Sequence, residues 1–336
     1  MTNMPCLSEP TVSVIVAAYN AERYISEALK SIFAQTFTDF EVIVVDDGST
    51  DRTFDIVHEH PGVRHLRQVN QGQPAARNAG IRAARGRYLS FLDADDLWLP
   101  LKLEKQVAYL LNHSDAKWVY CDAVLFDSDM HTVLGRIGKE VTLHAGDVLN
   151  QLFLLSFIPS PTPVIAREVF EEVGLFDESP ALRIGEDWNM WLRIAARYPL
   201  GVVREPLAFV RVHSRSMTQA ASADAVYHSK RNIVEQAAAR NKERLHDLKP
   251  RALAALAVGA GLRYLKSGRG SEARTMFREA ARERPGGIYN YCFIAATYMP
   301  AFVPAALHMF RRWFQSRRSE QADAHWTSLF GDKSLI

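Results

Sequence analysis

Residues 84–98 read ARGRYLSFLDADDLW, a short apolar run of strand type at 88–92 that stops on three carboxylates, Asp93, Asp95 and Asp96. In an extended chain residues two apart point the same way, so Asp93 and Asp95 are placed to face one ligand while Ala94 faces the other side. Carboxylates at the carboxyl end of a strand lie where open α/β sheets hold their ligands. Hard divalent cations take oxygen ligands of this kind and share them with substrate phosphates. The same residues also suit a plain acidic turn ahead of a helix beginning near Leu97, and taken alone the stretch leaves both readings open.

Working outward, residues 11–18 (TVSVIVAA) and 40–45 (FEVIVV) are rich in β-branched residues and read as buried strands. Between them, 21–37 carries Tyr24, Ile25, Ala28, Leu29, Ile32 and Phe33 at helical spacing. The second strand ends on DDGSTD at 46–51, where Gly48 supplies a tight turn and Ser49, Thr50 or Asp51 can cap a helix starting near Arg52. Residues 63–68 form a weaker strand and 73–84 a helix. This alternation predicts an α/β fold with a mostly parallel sheet and right-handed crossovers. The first strand–helix turn, AAYNAE at 17–22, lacks the glycines of a dinucleotide-binding turn, and no GxxxxGK[ST] occurs anywhere. These turns argue against a dehydrogenase and a P-loop NTPase. The DDGSTD carboxylates are suited to accept hydrogen bonds from a base or a ribose, but would repel phosphate without a cation between them.

Composition sets outer bounds. The 336 residues are 48% hydrophobic, enough to bury a full core and more than one unit, and a net charge of +2 makes no electrostatic claim on nucleic acid. Cys6, Cys121 and Cys292 are widely spaced and form no metal-ligand pattern, which fits buried thiols in a reducing compartment. The opening MTNMPCLSEP has neither a basic start nor an apolar core, so the expected location is cytoplasmic.

In order, SVIVAAYNAERYI, EVIVVDDGSTD, NQGQPAARNAGI and YLSFLDADD resemble the family 2 glycosyltransferases of the GT-A fold, a likeness reaching over roughly the first 215 residues. The resemblance implies a GT-A (Rossmann-like) sheet flanked by helices, a nucleotide-sugar donor, Mn2+ or Mg2+, and inversion at the anomeric carbon. It places Ala18, Tyr19, Asn20, Asp46, Asp47 and Gly48 around the nucleoside. Arg77, Asn78, Asp93, Ala94 and Arg215 are its further donor-binding residues. Asp93 and Asp95 match the family's DxD and would both hold the metal, Asp95 the more directly, with His213 joining on the metal or the leaving group. Glu186 and Asp187 match its acidic pair ahead of an aromatic helix, which makes Asp187 the catalytic base and Glu186 its supporting carboxylate. On their own, those two acids would merely cap a helix and suit its dipole. Asp127-Ser128-Asp129 repeats the DxD pattern but sits among turn formers, and reads as a surface turn.

Residues 141–173 read as mostly helical, interrupted by the proline cluster at 159–163. Three regions are expected: a catalytic domain at 1–220, a helical extension at 221–285 with one tetratricopeptide-like hairpin, and an apolar then basic segment at 286–336. Residues 288–310 contain no Lys, Arg, Asp or Glu, and Arg311, Arg312, Arg317 and Arg318 follow. Pro300 and Pro304 argue against a straight spanning helix, leaving a buried hairpin or a kinked interfacial segment on anionic headgroups, the latter favoured. The function implied is transfer of a sugar, from UDP before other nucleotides, to a hydroxyl of a glycan or lipid-linked glycan in cell-surface polysaccharide biosynthesis. The enzyme would be soluble or peripheral on the inner face of the cytoplasmic membrane. The rivals are a nucleotidyltransferase, which should show a glycine-rich basic loop after its first strand, and a non-catalytic glycan- or membrane-binding protein on a transferase scaffold.

Overall fold

A computed structural model describes residues 9–129, 132–213, 216–286, 291, 293–295 and 297. In chain order the elements of the first half are β1 (Val12–Ala18), α1 (Ile25–Phe33), β2 (Phe40–Asp46), α2 (Thr53–His58), β3 (Val63–Arg67), α3 (Gln73–Ala83), β4 (Tyr88–Asp93), β5 (Leu97–Trp98) and α4 (Lys102–Asn112). Then come β6 (Trp118–Phe126), β7 (Val133–Arg136), α5 (Ile137–Glu140), α6 (Leu149–Leu154), β8 (Val164–Ala166), α7 (Glu168–Val173), a 3-10 turn at Pro180–Leu182, α8 (Glu186–Ala195) and β9 (Leu200–Arg211). Helices follow: α9 (Met217–Ala220), α10 (Ala223–Arg240), α11 (Lys242–Leu245), α12 (Lys249–Lys266) and α13 (Gly270–Glu283).

One sheet runs β3-β2-β1-β4-β8-β6-β9-β5, with β7 beside β6. Its first four strands are parallel, as the β-α alternation requires. Nearly every residue of β1 is buried, because helices cover both of its faces. Register puts Ala18 beside Asp46 and Ala17 beside Asp93. The turns after β1, β2 and β4 therefore end in one row at the carboxyl edge of the sheet.

Two glycines let this half close. A Cβ on Gly80 in α3 would meet Ile15 Cγ2 at 2.4 Å, and one on Gly86 would meet the Ser13 backbone nitrogen at 2.4 Å and the Val12 carbonyl carbon at 2.7 Å. At Gly86 the obstacle is the backbone of β1, which cannot rotate away. Gly86→Ala is expected to cost about 1–3 kcal/mol as an overpacked contact, read as a lower urea midpoint at unchanged slope.

The second half mixes directions: β4 and β6 both pair antiparallel with β8, while β6 and β9 run parallel. Here the structure corrects two sequence expectations. No helix begins at Leu97; Leu97 and Trp98 pair antiparallel with Phe209 and Ala208, and the helix waits until Lys102. The stretch 141–173 is not mostly helical either, since Val164–Ala166 forms a central strand directly after the prolines. Three residues are too few to show a period, and their burial comes from both neighbouring strands. The proline segment satisfies its carbonyls with side chains: Trp98 Nε1 donates to Pro161 O at 2.8 Å and Ser90 Oγ to Pro163 O at 2.7 Å.

Helices α12 and α13 pack against each other, turning at Gly268 with φ +73° and packing Phe277 against Gly261. Ile233, Val234, Ala237, Leu245 and Leu253 join the same apolar core as the sheet, so the core runs on past residue 220. At the start of the C-terminal segment Phe293 is buried and stacks on Phe277 with ring centroids 5.1 Å apart, as ordinary core. Thr297 is buried as well; residues 287–290, 292, 296 and 298–336 of the segment proposed for a membrane surface lie outside the described residues, as do Cys6 and Cys292. Among the described residues no helix is long and apolar enough to cross a membrane.

Candidate active site

The row of turns at the sheet's carboxyl edge is organised by Arg77. Its guanidinium is buried under Phe176, donating from Nη1 to Glu186 Oε1 at 2.7 Å and from Nη2 to Asp93 Oδ1 at 2.6 Å and Ser160 Oγ at 2.7 Å. Helix α3 also brings Gln73, one turn earlier, whose Nε2 donates to Asp93 Oδ1 at 2.8 Å. One cation thus joins the acidic end of β4 to the acidic first turn of α8. Burial works against the charge on Arg77, but Asp93 and Glu186 beside it more than offset that, and its pKa is raised. Burial pushes Asp93 up against the pull of Arg77, with Asp95 adding like-charge repulsion. Burial likewise pushes Glu186 up to about 7, opposed by Arg77 and helped by Asp187. Carboxylates outnumber cations here, the electrostatics of a site awaiting positive charge from a ligand.

Asp93 and Asp95 have different partners. The strand ends at Asp93 and the chain turns at once, Asp96 N–H bonding Asp93 O at 3.0 Å, so two-residue alternation does not carry across. Asp95 Oδ2 lies 2.8 Å from His213 Nε2. Pairing of β5 with β9 brings them together, since it folds the end of β9 back over the turn. His213 leans on Tyr24, with ring centroids 5.3 Å apart, and its Nδ1 is buried without a hydrogen-bond partner among the described residues. Ala94 is buried behind the turn. Asp96 is buried as well, accepting Arg211 N–H at 2.8 Å, and burial with Asp95 and Asp93 nearby holds its carboxyl well above the usual range.

Arg211 ties this corner down. Its side chain donates to Asp95 O at 2.8 Å, Ser128 O at 2.6 Å and Glu27 Oε2 at 2.7 Å, and lies over the Tyr24 ring. Sequence reasoning missed it, and missed Gln73 and Ser160. The signal for Arg211 was its place at the end of β9, two residues before His213. Ser160 carried no signal among the prolines. Arg211 also explains why the second DxD-like triplet is a surface turn: Ser128 offers its carbonyl inward, and Asp129 pairs with Arg23, both exposed.

The nucleoside-side residues fall into two layers. Tyr19 and Asn20 are exposed at the mouth, and Asn20, at φ +49°, accepts Thr50 N–H on its Oδ1 at 2.9 Å. Ala18 lies beneath them, its carbonyl taking Asp47 N–H at 2.8 Å. The two aspartates of the β2 turn face inward. Asp46 Oδ1 takes Ser49 N–H at 2.9 Å while Oδ2 pairs with Arg67 at 3.2 Å. Asp47 takes Gln68 Nε2 at 2.7 Å, Gln71 N–H at 2.9 Å and Gly72 N–H at 2.8 Å. Asp47 shapes the loop that leads into α3, while Asp46 holds its own turn and Arg67 of β3. Gly48, at φ +77°, packs against Asn70, where a Cβ would meet the backbone nitrogen at 2.9 Å. Asn78 is also occupied: its amide donates to Phe176 O and Glu178 Oε1 and accepts Phe176 N–H, so it fastens the 176–178 segment. Asp47 and Asn78 therefore stand behind the cleft and position it. Arg215 lies outside the described residues.

Asp187 sits in the first turn of α8, partly exposed, with Oδ1 accepting Trp188 N–H at 2.7 Å. Its partner Glu186 is buried against Arg77, so the two neighbouring acids have separate surroundings. A divalent cation is the group that the fold type implies. Among the described residues no three His, Cys, Asp or Glu side chains are arranged to hold an ion by themselves. Asp95 and His213, an oxygen and a nitrogen donor facing each other, fit a cation that completes its shell with ligand phosphates and water. Asp93 engages Arg77 and Gln73 through Oδ1 alone.

An α/β sheet with acidic turns along one edge, and no phosphate loop, has the architecture of the GT-A glycosyltransferases. The model of glycosyl transferase family 2 matches residues 13–174. The chain is 32% identical over 195 residues to the putative teichuronic acid biosynthesis glycosyltransferase TuaG of Bacillus subtilis, covering 55% of this chain and 72% of that protein. By sequence this chain belongs to glycosyl transferase family 2. It spans only about a third, 34% and 35%, of the length of matched relatives from Rickettsia conorii and Rickettsia felis. Two solved structures share the fold. The 1–349 portion of S. aureus TarS in complex with UDP-GlcNAc aligns at TM-score 0.59 and 20% identity, over 86% of this chain and 89% of that one. The mannosyltransferase PcManGT from Pyrobaculum calidifontis, in complex with GDP-Man and Mn2+, aligns at TM-score 0.57 and 21% identity, over 97% and 88%.

Proposed function

We propose that the protein moves a sugar from a nucleoside diphosphate, UDP before others, to a hydroxyl of a glycan or lipid-linked glycan, with inversion, in making a cell-surface polysaccharide. The observation that carries this is the Arg77 bridge, which holds the β4 turn and the α8 first turn one guanidinium apart. Donor and base ends of a displacement need that proximity. TuaG's name, the UDP-GlcNAc complex and the GDP-Man complex support a nucleotide-sugar donor and a polysaccharide setting. The same reading puts the part of residues 288–318 that follows the buried Phe293 and Thr297 on an anionic membrane surface at the cytoplasmic face.

In this reading Tyr19 and Asn20 border the nucleoside. Asp95 and His213 would hold Mn2+ or Mg2+, which supplies Lewis-acid stabilisation to the departing diphosphate. Asp187 takes the proton of the acceptor hydroxyl while its oxygen attacks the anomeric carbon from the face opposite the diphosphate. A single displacement inverts that carbon without a covalent enzyme intermediate. Glu186 and Arg77 hold the base end in place. Nucleotide release from a panel of sugar nucleotides tests the activity. Asp95→Asn tests the metal end: calorimetric titration with UDP in the presence of Mn2+ should show affinity weakened roughly 10- to 100-fold, with the melting temperature little changed. Equal affinity in variant and wild type removes Asp95 from the ligand set.

A further inference from the structure

The turn that carries Asp95 is bound twice by one residue. Arg211 donates its backbone N–H to Asp96 Oδ1 at 2.8 Å and its side-chain Nε to Asp95 O at 2.8 Å. Two residues further along the chain, His213 Nε2 faces Asp95 Oδ2 at 2.8 Å. Arg211 therefore governs both members of the facing pair, Asp95 through the turn it binds and His213 through the backbone they share. The Tyr24 ring adds a second connection, lying 4.5 Å from the Arg211 guanidinium and 5.3 Å from the His213 ring, centroid to centroid in the latter case.

The guanidinium is anchored on the side away from this pair. Nη1 donates to Ser128 O at 2.6 Å and Nη2 to Glu27 Oε2 at 2.7 Å, so the β6–β7 turn and the first turn of α1 hold it. The second DxD-like triplet thus contributes a backbone carbonyl to the site, while Asp129 pairs with Arg23, whose guanidinium also lies over Tyr24. The Arg211 side chain is 3% exposed and that of Glu27 56%. A fixed positive charge beside a cation site opposes the cation, and pairing with Glu27 offsets that opposition. An arginine suits the position because its planar fork reaches acceptors on separate elements at once, whereas a lysine offers one point charge on a flexible stem.

We propose that Arg211 is the positioning residue of the cation end: it holds Asp95 and His213 facing each other ahead of ligand binding, and Glu27, exposed on α1, acts on the pair through it. This rests on the transferase reading, in which Asp95 and His213 take a divalent cation. Groups that orient a cation's ligands without touching the ion still weaken its binding when they are lost.

Two measurements test it. The first is calorimetric titration with UDP, once with Mn2+ and once with EDTA. Arg211→Met should weaken the Mn2+-supported affinity roughly 10- to 100-fold and leave the EDTA value unchanged, and Arg211→Lys should recover only part of the loss. Glu27→Gln, at an exposed position where folding is not at stake, should weaken the Mn2+-supported value about 2- to 5-fold. Glu59→Gln removes an exposed acid that Arg211 does not bind, and should leave both values unchanged. An equal loss with and without Mn2+, or wild-type affinity in both Arg211→Met and Glu27→Gln, overturns the proposal. The second measurement needs no ligand: amide hydrogen exchange of the free protein. In Arg211→Met the amides of residues 95–98 should exchange several-fold faster, and those of α3 at the wild-type rate. Unchanged exchange at 95–98, or equal acceleration through α3, overturns it. If the wild type binds UDP equally with Mn2+ and with EDTA, the cation reading fails on its own, while exchange still decides whether Arg211 holds the Asp95 turn.

Discussion

Asp187→Asn should lower kcat by roughly 10²- to 10⁴-fold, the range for loss of a general base, while the protein stays folded. The substitution is nearly isosteric and keeps an oxygen to accept the Trp188 N–H, so the local turn survives. If Asp187 served only that turn, stability would move by about 1 kcal/mol or less and turnover would hold. Donor affinity should barely change, because Asp95 and His213 lie at the other end of the Arg77 bridge. Glu186→Gln is the control. Glu186 is buried and bound to Arg77, so it is poorly placed to reach an acceptor hydroxyl, and its loss should cost less in kcat than that of Asp187. A large kcat loss in Glu186→Gln beside an active Asp187→Asn would transfer the base to Glu186.

Glu186 has a second signature. Its folded pKa is raised to about 7 from an ordinary 4.5, so the folded protein binds the proton more tightly than the unfolded chain. The stability this contributes is full below about 4.5 and is lost as pH rises through about 7. The melting-temperature difference between wild type and Glu186→Gln should therefore shift across that window and level off on either side. A difference independent of pH would mean that Arg77 keeps Glu186 ionised throughout.

The sequence was informative where chemistry is written locally. Parallel βαβ units announce themselves through β-branched runs bounded by turn residues, and the four strands β1 to β4 appear where that pattern puts them. Asp95, His213 and Asp187 were singled out through the resemblance, and the structure sets Asp95 against His213 and Asp187 in the first turn of α8. What stayed hidden depended on partners far along the chain. Ser160 meets Arg77 across 83 positions, and Arg211 meets Glu27 across 184. Asp47 and Asn78 carry the residue types of ligand contacts, yet their hydrogen bonds close inside the protein. Periodicity cannot tell an outward polar group from one consumed by a neighbouring loop. The short strand β8 was invisible for a related reason: its burial belongs to β4 and β6.

Arg77→Met should produce the largest loss of stability, about 3–5 kcal/mol, because removing one partner of a buried ion pair leaves uncompensated charge. The variant keeps most of the side chain's length and apolar contact with Phe176, so the loss reports the missing guanidinium. Asp93 and Glu186 would then face each other's fields with only Gln73 and Ser160 nearby to donate. Arg77→Lys keeps a positive charge, but a single ammonium lacks the planar fork that spans both carboxylates and Ser160, and it should recover only part of the loss. Urea unfolding at pH 7 measures these costs as midpoint shifts at a common slope. Lower pH supplies the discriminating result. Without Arg77 both acids should have folded pKa values further above their unfolded ones, so protons bind the folded state more tightly and stability is regained as pH falls. Arg77→Met should therefore approach the wild type as pH drops from 7 toward 5, and Arg77→Met with Glu186→Gln should start closer to it at pH 7. A deficit that is the same at both pH values, and unrelieved by Glu186→Gln, would mean that Arg77 acts through packing against Phe176. The two acidic turns would then be held together by the backbone alone.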